Sequence, residues 1–121
     1  MRYRNQLQPY IEISTSPVTQ EARFAAQVGH GKTGVACVNI SKNLLATGSY
    51  TFDFETATDA GSPHWDACGS GTVAAAFTGL KRFDLGESSG QKLACVVRWK
   101  LTGATASAVL GFDIVIIFAD T

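Results

Sequence analysis

Charge is scarce in this chain, and what there is cancels. Only 17% of the 121 residues are charged, ten basic against ten acidic, where soluble domains average about a quarter. A general nucleic-acid binder needs surplus Lys and Arg to neutralise phosphates, so the balance argues against direct contact with nucleic acid. Long apolar runs are missing as well. No stretch approaches the roughly 20 residues that span a bilayer, so no membrane contact is expected. "MRYRNQLQPY" opens with charge but no apolar segment follows, so it does not read as a secretory signal. A soluble protein made in a cytoplasm is the expectation.

Cysteine is sparse and odd in number. Cys37, Cys68 and Cys95 cannot form a closed set of intrachain disulfides, and no CxxC pair is present for zinc or redox work. Cys37 and Cys95 sit in alternating apolar runs, where a free thiol behaves as a small buried hydrophobe of a reducing compartment. The common catalytic signatures are absent too: there is no GxSxG elbow, HExxH, P-loop or GxGxxG. The expectation is therefore a non-enzyme with no cofactor, no metal site and no catalytic residues.

Three groups of residues bear on that expectation. His64, Asp66 and Cys68, at i, i+2 and i+4, would share a face if they lay on a strand and could then gather round an ion. Their Gly- and Pro-flanked setting, "AGSPHWDACGSG", favours a loop. In that loop His64, Trp65 and Asp66 form an alternative ligand site, with Trp65 as a sugar-stacking ring. Asp53, Glu55 and Asp59 cluster in "TFDFETATD". They read as a solvated face, paired across strands with Arg98 and Lys100.

What the sequence does have is a period of two. "YIEIST" (10–15), "ARFAAQV" (22–28) and "VACVNIS" (35–41) alternate, and Tyr50, Phe52 and Phe54 oppose Thr51, Asp53 and Glu55. "LKRFDLG" (80–86) follows, and "KLACVVRWKLTG" (92–103) sets Leu93, Cys95, Val97, Trp99 and Leu101 inward. Residues 60–71 read as a loop, and 72–80 as a strand or irregular connector. About eight strands joined by short Gly/Ser/Thr turns, with no long helix, predict an all-β fold. It is an antiparallel β-sandwich or jelly roll, in one domain over 10–121.

The last strand poses the chain's main question. In "SAVLGFDIVIIFADT" (107–121), Leu110, Phe112, Ile114, Ile116 and Phe118 share one parity, and Gly111, Asp113, Val115, Ile117 and Ala119 the other. The second set is too apolar for water. Val115 and Ile117, with Val96 in the adjoining strand, are expected to form an interface to another copy or to a larger surface. Residues 1–9 form a basic segment ahead of the first acid, and Arg2, Tyr3, Arg4 and Tyr10 are expected to act as an arm on a partner.

The order "SYTFDFETATDAG", a Trp-bearing loop, "TGLKRFDLG", then "KLACVVRWKLTGATASAVLGFDIVIIF" resembles the small β-sandwich cement, or decoration, proteins of tailed bacteriophage capsids. Those show a strand of the type "xFxVxxSDDG" and a C-terminal "LRVxWxLTGxxxxAxFxVxxxL". The resemblance covers roughly residues 48–119. It implies a structural protein of the virion surface that stabilises the head by bridging major capsid subunits. It also implies a homo-oligomer, dimer or trimer, whose partner is the major capsid protein.

Overall fold

The structure, a computed structural model, describes residues 2–14, 17–28, 33–86, 93–103 and 108–119, with backbone alone at 2, 3 and 119. His30 and residues 87–92 lie outside the described residues. The strands are β1 (Arg2–Ile13), β2 (Val18–Thr19), β3 (Ala26–Gln27), β4 (Thr33–Asn43), β5 (Ser49–Ala57), β6 (Asp66–Ala74), β7 (Gly79–Leu85), β8 (Val96–Thr102) and β9 (Leu110–Ala119). Among the described residues the one helical segment is a 3₁₀ turn, Ala22–Phe24.

Two antiparallel sheets face each other. One has the order β1-β9-β4-β7; the other runs β2-β8-β5-β6, with β3 also paired to β8. Every consecutive connection changes sheet except β2–β3 and the β5–β6 hairpin, which is jelly-roll connectivity. The predicted fold class is therefore observed. β2 and β3 lie end to end on β8, one edge strand interrupted by the 3₁₀ turn.

The core follows from parity. Phe52 and Phe54 of β5 and Phe112, Ile114 and Ile116 of β9 are fully buried. Phe112 meets Phe52 edge-on at 5.1 Å and Trp99 edge-on at 5.3 Å, and Phe83 lies 5.9 Å from Phe52. These rings stitch the sheets together, and truncating Phe112 to Ala would cost about 3–5 kcal/mol.

The structure departs from the sequence reading at several points. Residues 22–24, expected in a strand, form the 3₁₀ turn, and Cys37 and Cys95, expected buried, are partly exposed. Residues 66–71, expected in a loop, belong to β6. Gly-Ser composition hid the strand, yet glycine is what this strand requires: a Cβ on Gly69 would come within 2.6 Å of the Asp84 carbonyl, and one on Gly71 would strike the Phe83 ring. β6 thus folds tightly over β7, and the Gly86 N–H donates to the Cys68 carbonyl at 2.8 Å. Residues 2–9, expected as an arm, are part of β1 and pair with β9 from Arg2↔Ala119 to Gln8↔Ile114. Val96, expected at an interface, is 1% exposed. It lies on the five-stranded sheet, so it cannot share a patch with Val115 and Ile117 of β9.

Candidate interaction surface

The outer face of the β1-β9-β4-β7 sheet collects the side chains of the apolar second parity. Registers place them in rows. Arg4, Ile117, Val35 and Asp84 align across the four strands, and Gln6, Val115, Cys37 and Arg82 form the next row. Asp113, Asn39 and Leu80 follow on β9, β4 and β7. The central pair of strands contributes Val35, Cys37, Val115 and Ile117, all partly exposed. The flanking strands contribute the exposed Arg4, Gln6, Arg82 and Asp84. Apolar centre and polar rim are the anatomy of a protein interface.

Below this centre the face turns polar. Asn39 Nδ2 donates to Asp113 Oδ1 at 3.4 Å. Further down, the Tyr10 hydroxyl donates to Glu12 Oε2 at 2.8 Å, and Lys42 Nζ is 3.7 Å from Glu12 Oε1. Gly111 lies directly beneath the Tyr10 ring edge, and any Cβ there would strike the Tyr10 hydroxyl. Tyr10, expected to act on a partner, lies across its own sheet and stays exposed there. Of the other three arm residues, Arg4 joins the rim of the apolar centre, and the side chains of Arg2 and Tyr3 lie outside the described residues.

The β1 edge of this sheet is blunted against a further strand. β1 carries Pro9 and register shifts between Gln6 and Gln8 and between Gln8 and Ile11, the usual devices that blunt an edge. Its Leu7 carbonyl accepts from Gln20 Nε2 at 2.6 Å, and Asn5 Nδ2 donates to the Gln27 carbonyl. At the other edge, the glycine segment of β6 lies against Phe83 and Asp84 of β7.

The outer face of the other sheet is different in kind. Thr51 pairs with Thr72 and Thr102, Asp53 with Ser70 and Lys100, and Glu55 with Arg98. Arg98 Nε donates to Glu55 Oε1 at 2.9 Å, and its guanidinium lies 4.1 Å over the Trp65 ring. Trp65 is half-buried with one ring face occupied by Arg98, while His64 and Asp66 are exposed. A sugar stacking on that ring face would have to displace the arginine.

The triplet His64, Asp66 and Cys68 is split. A register shift between Phe54 and Glu55, opposite Ala67 and Gly69, turns Cys68 inward to 1% exposure while Asp66 stays exposed. Burial, with the Glu55 carboxylate adding to it, pushes the Cys68 thiol up to about 12, so it remains a neutral thiol. Among the described residues no three His, Cys, Asp or Glu side chains gather as a metal site would require. Asp59, from the acidic cluster, accepts the Gly61 N–H at 2.7 Å and so closes a turn.

Val115 and Ile117 were legible in the sequence as surface-forming residues. Val35, Cys37, Arg82 and Asp84 were not, because nothing in a single sequence says which strands lie beside β9. No protein-family model and no curated protein matches the chain.

Proposed function

We propose that this chain is a structural protein of a virion surface, a decoration protein that binds the outside of a phage head and stabilises the lattice by bridging major capsid subunits. The observation that carries the reading is the four-stranded sheet's outer face, where Val35, Cys37, Val115 and Ile117 form an apolar centre inside a charged rim. Monomeric proteins seldom leave such a centre to water when it can be covered. Jelly rolls occur in viral coat, lectin and cupin domains, so the fold admits this role and the face supports it. On a repeating lattice, modest contacts made many times over give tight attachment without a deep pocket.

Cosedimentation with purified heads of the phage that encodes the chain tests the reading. The wild-type protein should saturate the heads at a fixed copy number and raise their resistance to heat-induced DNA release. A folded protein that neither binds heads nor changes their stability would overturn it.

A further inference from the structure

The two sheets end in four outer strands, and three of them are guarded. β1 carries Pro9 and its register shifts, β7 carries Lys81, Arg82 and Asp84, and the β2–β3 edge is broken by the 3₁₀ turn. Charge, proline and irregularity of this kind keep foreign strands off an edge. β6 is the remaining outer strand, and from Ala67 to Phe77 the chain holds neither a charge nor a proline. We infer that the β6 edge captures a short extended polypeptide segment, which joins the five-stranded sheet as a further strand. Its source rests on the reading above: the segment belongs to a capsid subunit.

The ladder with β5 fixes where the backbone of β6 points. The Ala75 N–H donates to the Gly48 carbonyl at 3.1 Å, and the register continues through Ser49↔Ala74, Tyr50↔Val73 and Thr51↔Thr72. Bonded pairs alternate in an antiparallel ladder, so Val73, Gly71 and Gly69 bond to β5, while Ser70 and Thr72 turn their N–H and C=O groups outward. Among the described residues nothing pairs with those outward groups, and both side chains are exposed.

The open ladder is capped at each end. The Gly86 N–H donates to the Cys68 carbonyl at 2.8 Å, and the Ala74 carbonyl accepts the Phe77 N–H at 3.2 Å and Asn43 Nδ2 at 3.0 Å. Between these caps there is room for about five residues of strand, some 17 Å. That length selects the occupant. A second copy pairing antiparallel about Gly71 would place its Ala74 opposite Cys68, where Gly86 already stands, and pairing about Ser70 would place its Thr72 there. Pairing about Thr72 would set Ser70 against an Ala74 carbonyl that is already bonded. A free extended segment meets none of these obstacles, and β-strand addition is an established mode of peptide capture. The edge is also well placed for it. β6 lies against β7, the strand whose Arg82 and Asp84 rim the apolar centre, so a subunit covering that face has the edge within reach.

The test uses overlapping synthetic peptides that tile the major capsid protein of the phage that encodes the chain. Binding is read by fluorescence anisotropy on the wild type, Thr72→Pro and Thr72→Val. Proline at 72 removes only an outward N–H, which an edge strand tolerates, and circular dichroism checks each fold. At least one peptide should bind the wild type, Thr72→Pro should weaken it roughly tenfold or more, and Thr72→Val, which leaves the ladder whole, should stay within about twofold. N-methylation of the bound peptide needs no protein variant: it should abolish binding at alternate residues and be tolerated at those between. No binding peptide, or binding indifferent to both Thr72→Pro and N-methylation, overturns the inference. A wild-type dimer that Thr72→Pro dissociates also overturns it and gives the edge to a second copy. Heads that bind the wild type and Thr72→Pro alike overturn it while the decoration role stands; heads that bind neither, with a tiled peptide still seated on the edge, do the reverse.

Discussion

Gln20 ties Leu7 to two other parts of the molecule, Phe24 and Trp99. Its side-chain Nε2 donates to the Leu7 carbonyl on β1 at 2.6 Å and to the Phe24 carbonyl at 3.2 Å, and its Oε1 accepts the Trp99 N–H at 3.3 Å. Its own N–H donates to the Trp99 carbonyl at 2.9 Å. The side chain thus supplies the hydrogen bonding that a strand would have made where the edge strand breaks between β2 and β3. Gln20→Leu would leave the Leu7 carbonyl and the Trp99 N–H buried without partners, at about 1–3 kcal/mol for each. Urea unfolding should show a midpoint shift equivalent to about 2–4 kcal/mol; a loss below 1 kcal/mol would mean that the break is held by something else.

Two buried hydroxyls should behave in opposite ways. Thr56 Oγ1 donates to the Val96 carbonyl and accepts the Ala94 N–H, both at 2.8 Å. Thr56→Val keeps the shape and strands two backbone groups, so it should cost about 2–3 kcal/mol. The Tyr50 hydroxyl is buried with no hydrogen-bond partner. Tyr50→Phe removes an unsatisfied group and should be neutral or stabilising by up to about 1 kcal/mol. Thermal unfolding of the two variants side by side reads the contrast, and a destabilised Tyr50→Phe would contradict it.

Cys68 makes stability sensitive to alkali. Its thiol titrates near 9 when exposed and at about 12 in the folded chain, so the folded state holds the proton longer. The stabilisation is complete below about pH 9 and is lost as pH rises through about 12. In Cys68→Ala, which pays only a cavity cost independent of pH, the decline of unfolding free energy between pH 9 and 11 should be shallower than in the wild type. Parallel curves would show that Cys68 ionises normally in the fold.

Trp65 should matter to stability and not to sugars. Its ring packs under the Arg98 guanidinium at 4.1 Å, a contact worth about 0.5–1 kcal/mol at such a site. Trp65→Ala should lower stability by about that amount, and a glycan array should stay blank for both proteins. A Trp65-dependent glycan signal would favour a lectin instead.

Alternation alone made most of this fold legible. Tyr50, Phe52 and Phe54 announced a strand with one dry face, and the inward set of β8, Val97, Trp99 and Leu101, was read correctly. The first part of β6, residues 66–71, was not legible because Gly69 and Gly71 serve close packing against Asp84 and Phe83, a tertiary need that reads locally as a turn. The first part of β1, residues 2–9, was not legible because Arg2, Arg4 and the polar residues between them carry little strand signal, and their pairing comes from β9. Val96 shows the limit of parity: it alternates with Val97, yet both are buried. The candidate surface was half visible, since Val115 and Ile117 signalled it, while its other half depends on β4 and β7 lying beside β9.

Cys37, at the centre of the proposed interface, offers the most direct measurement. Its alkylation rate, followed residue by residue by mass spectrometry with Cys95 as the internal reference, reports whether the outer face is covered. In the head-bound protein Cys37 should be protected in proportion to the bound fraction, roughly tenfold at ten times the dissociation constant, and Val115→Lys should abolish the protection. Equal Cys37 rates in the free and head-bound protein would contradict the account.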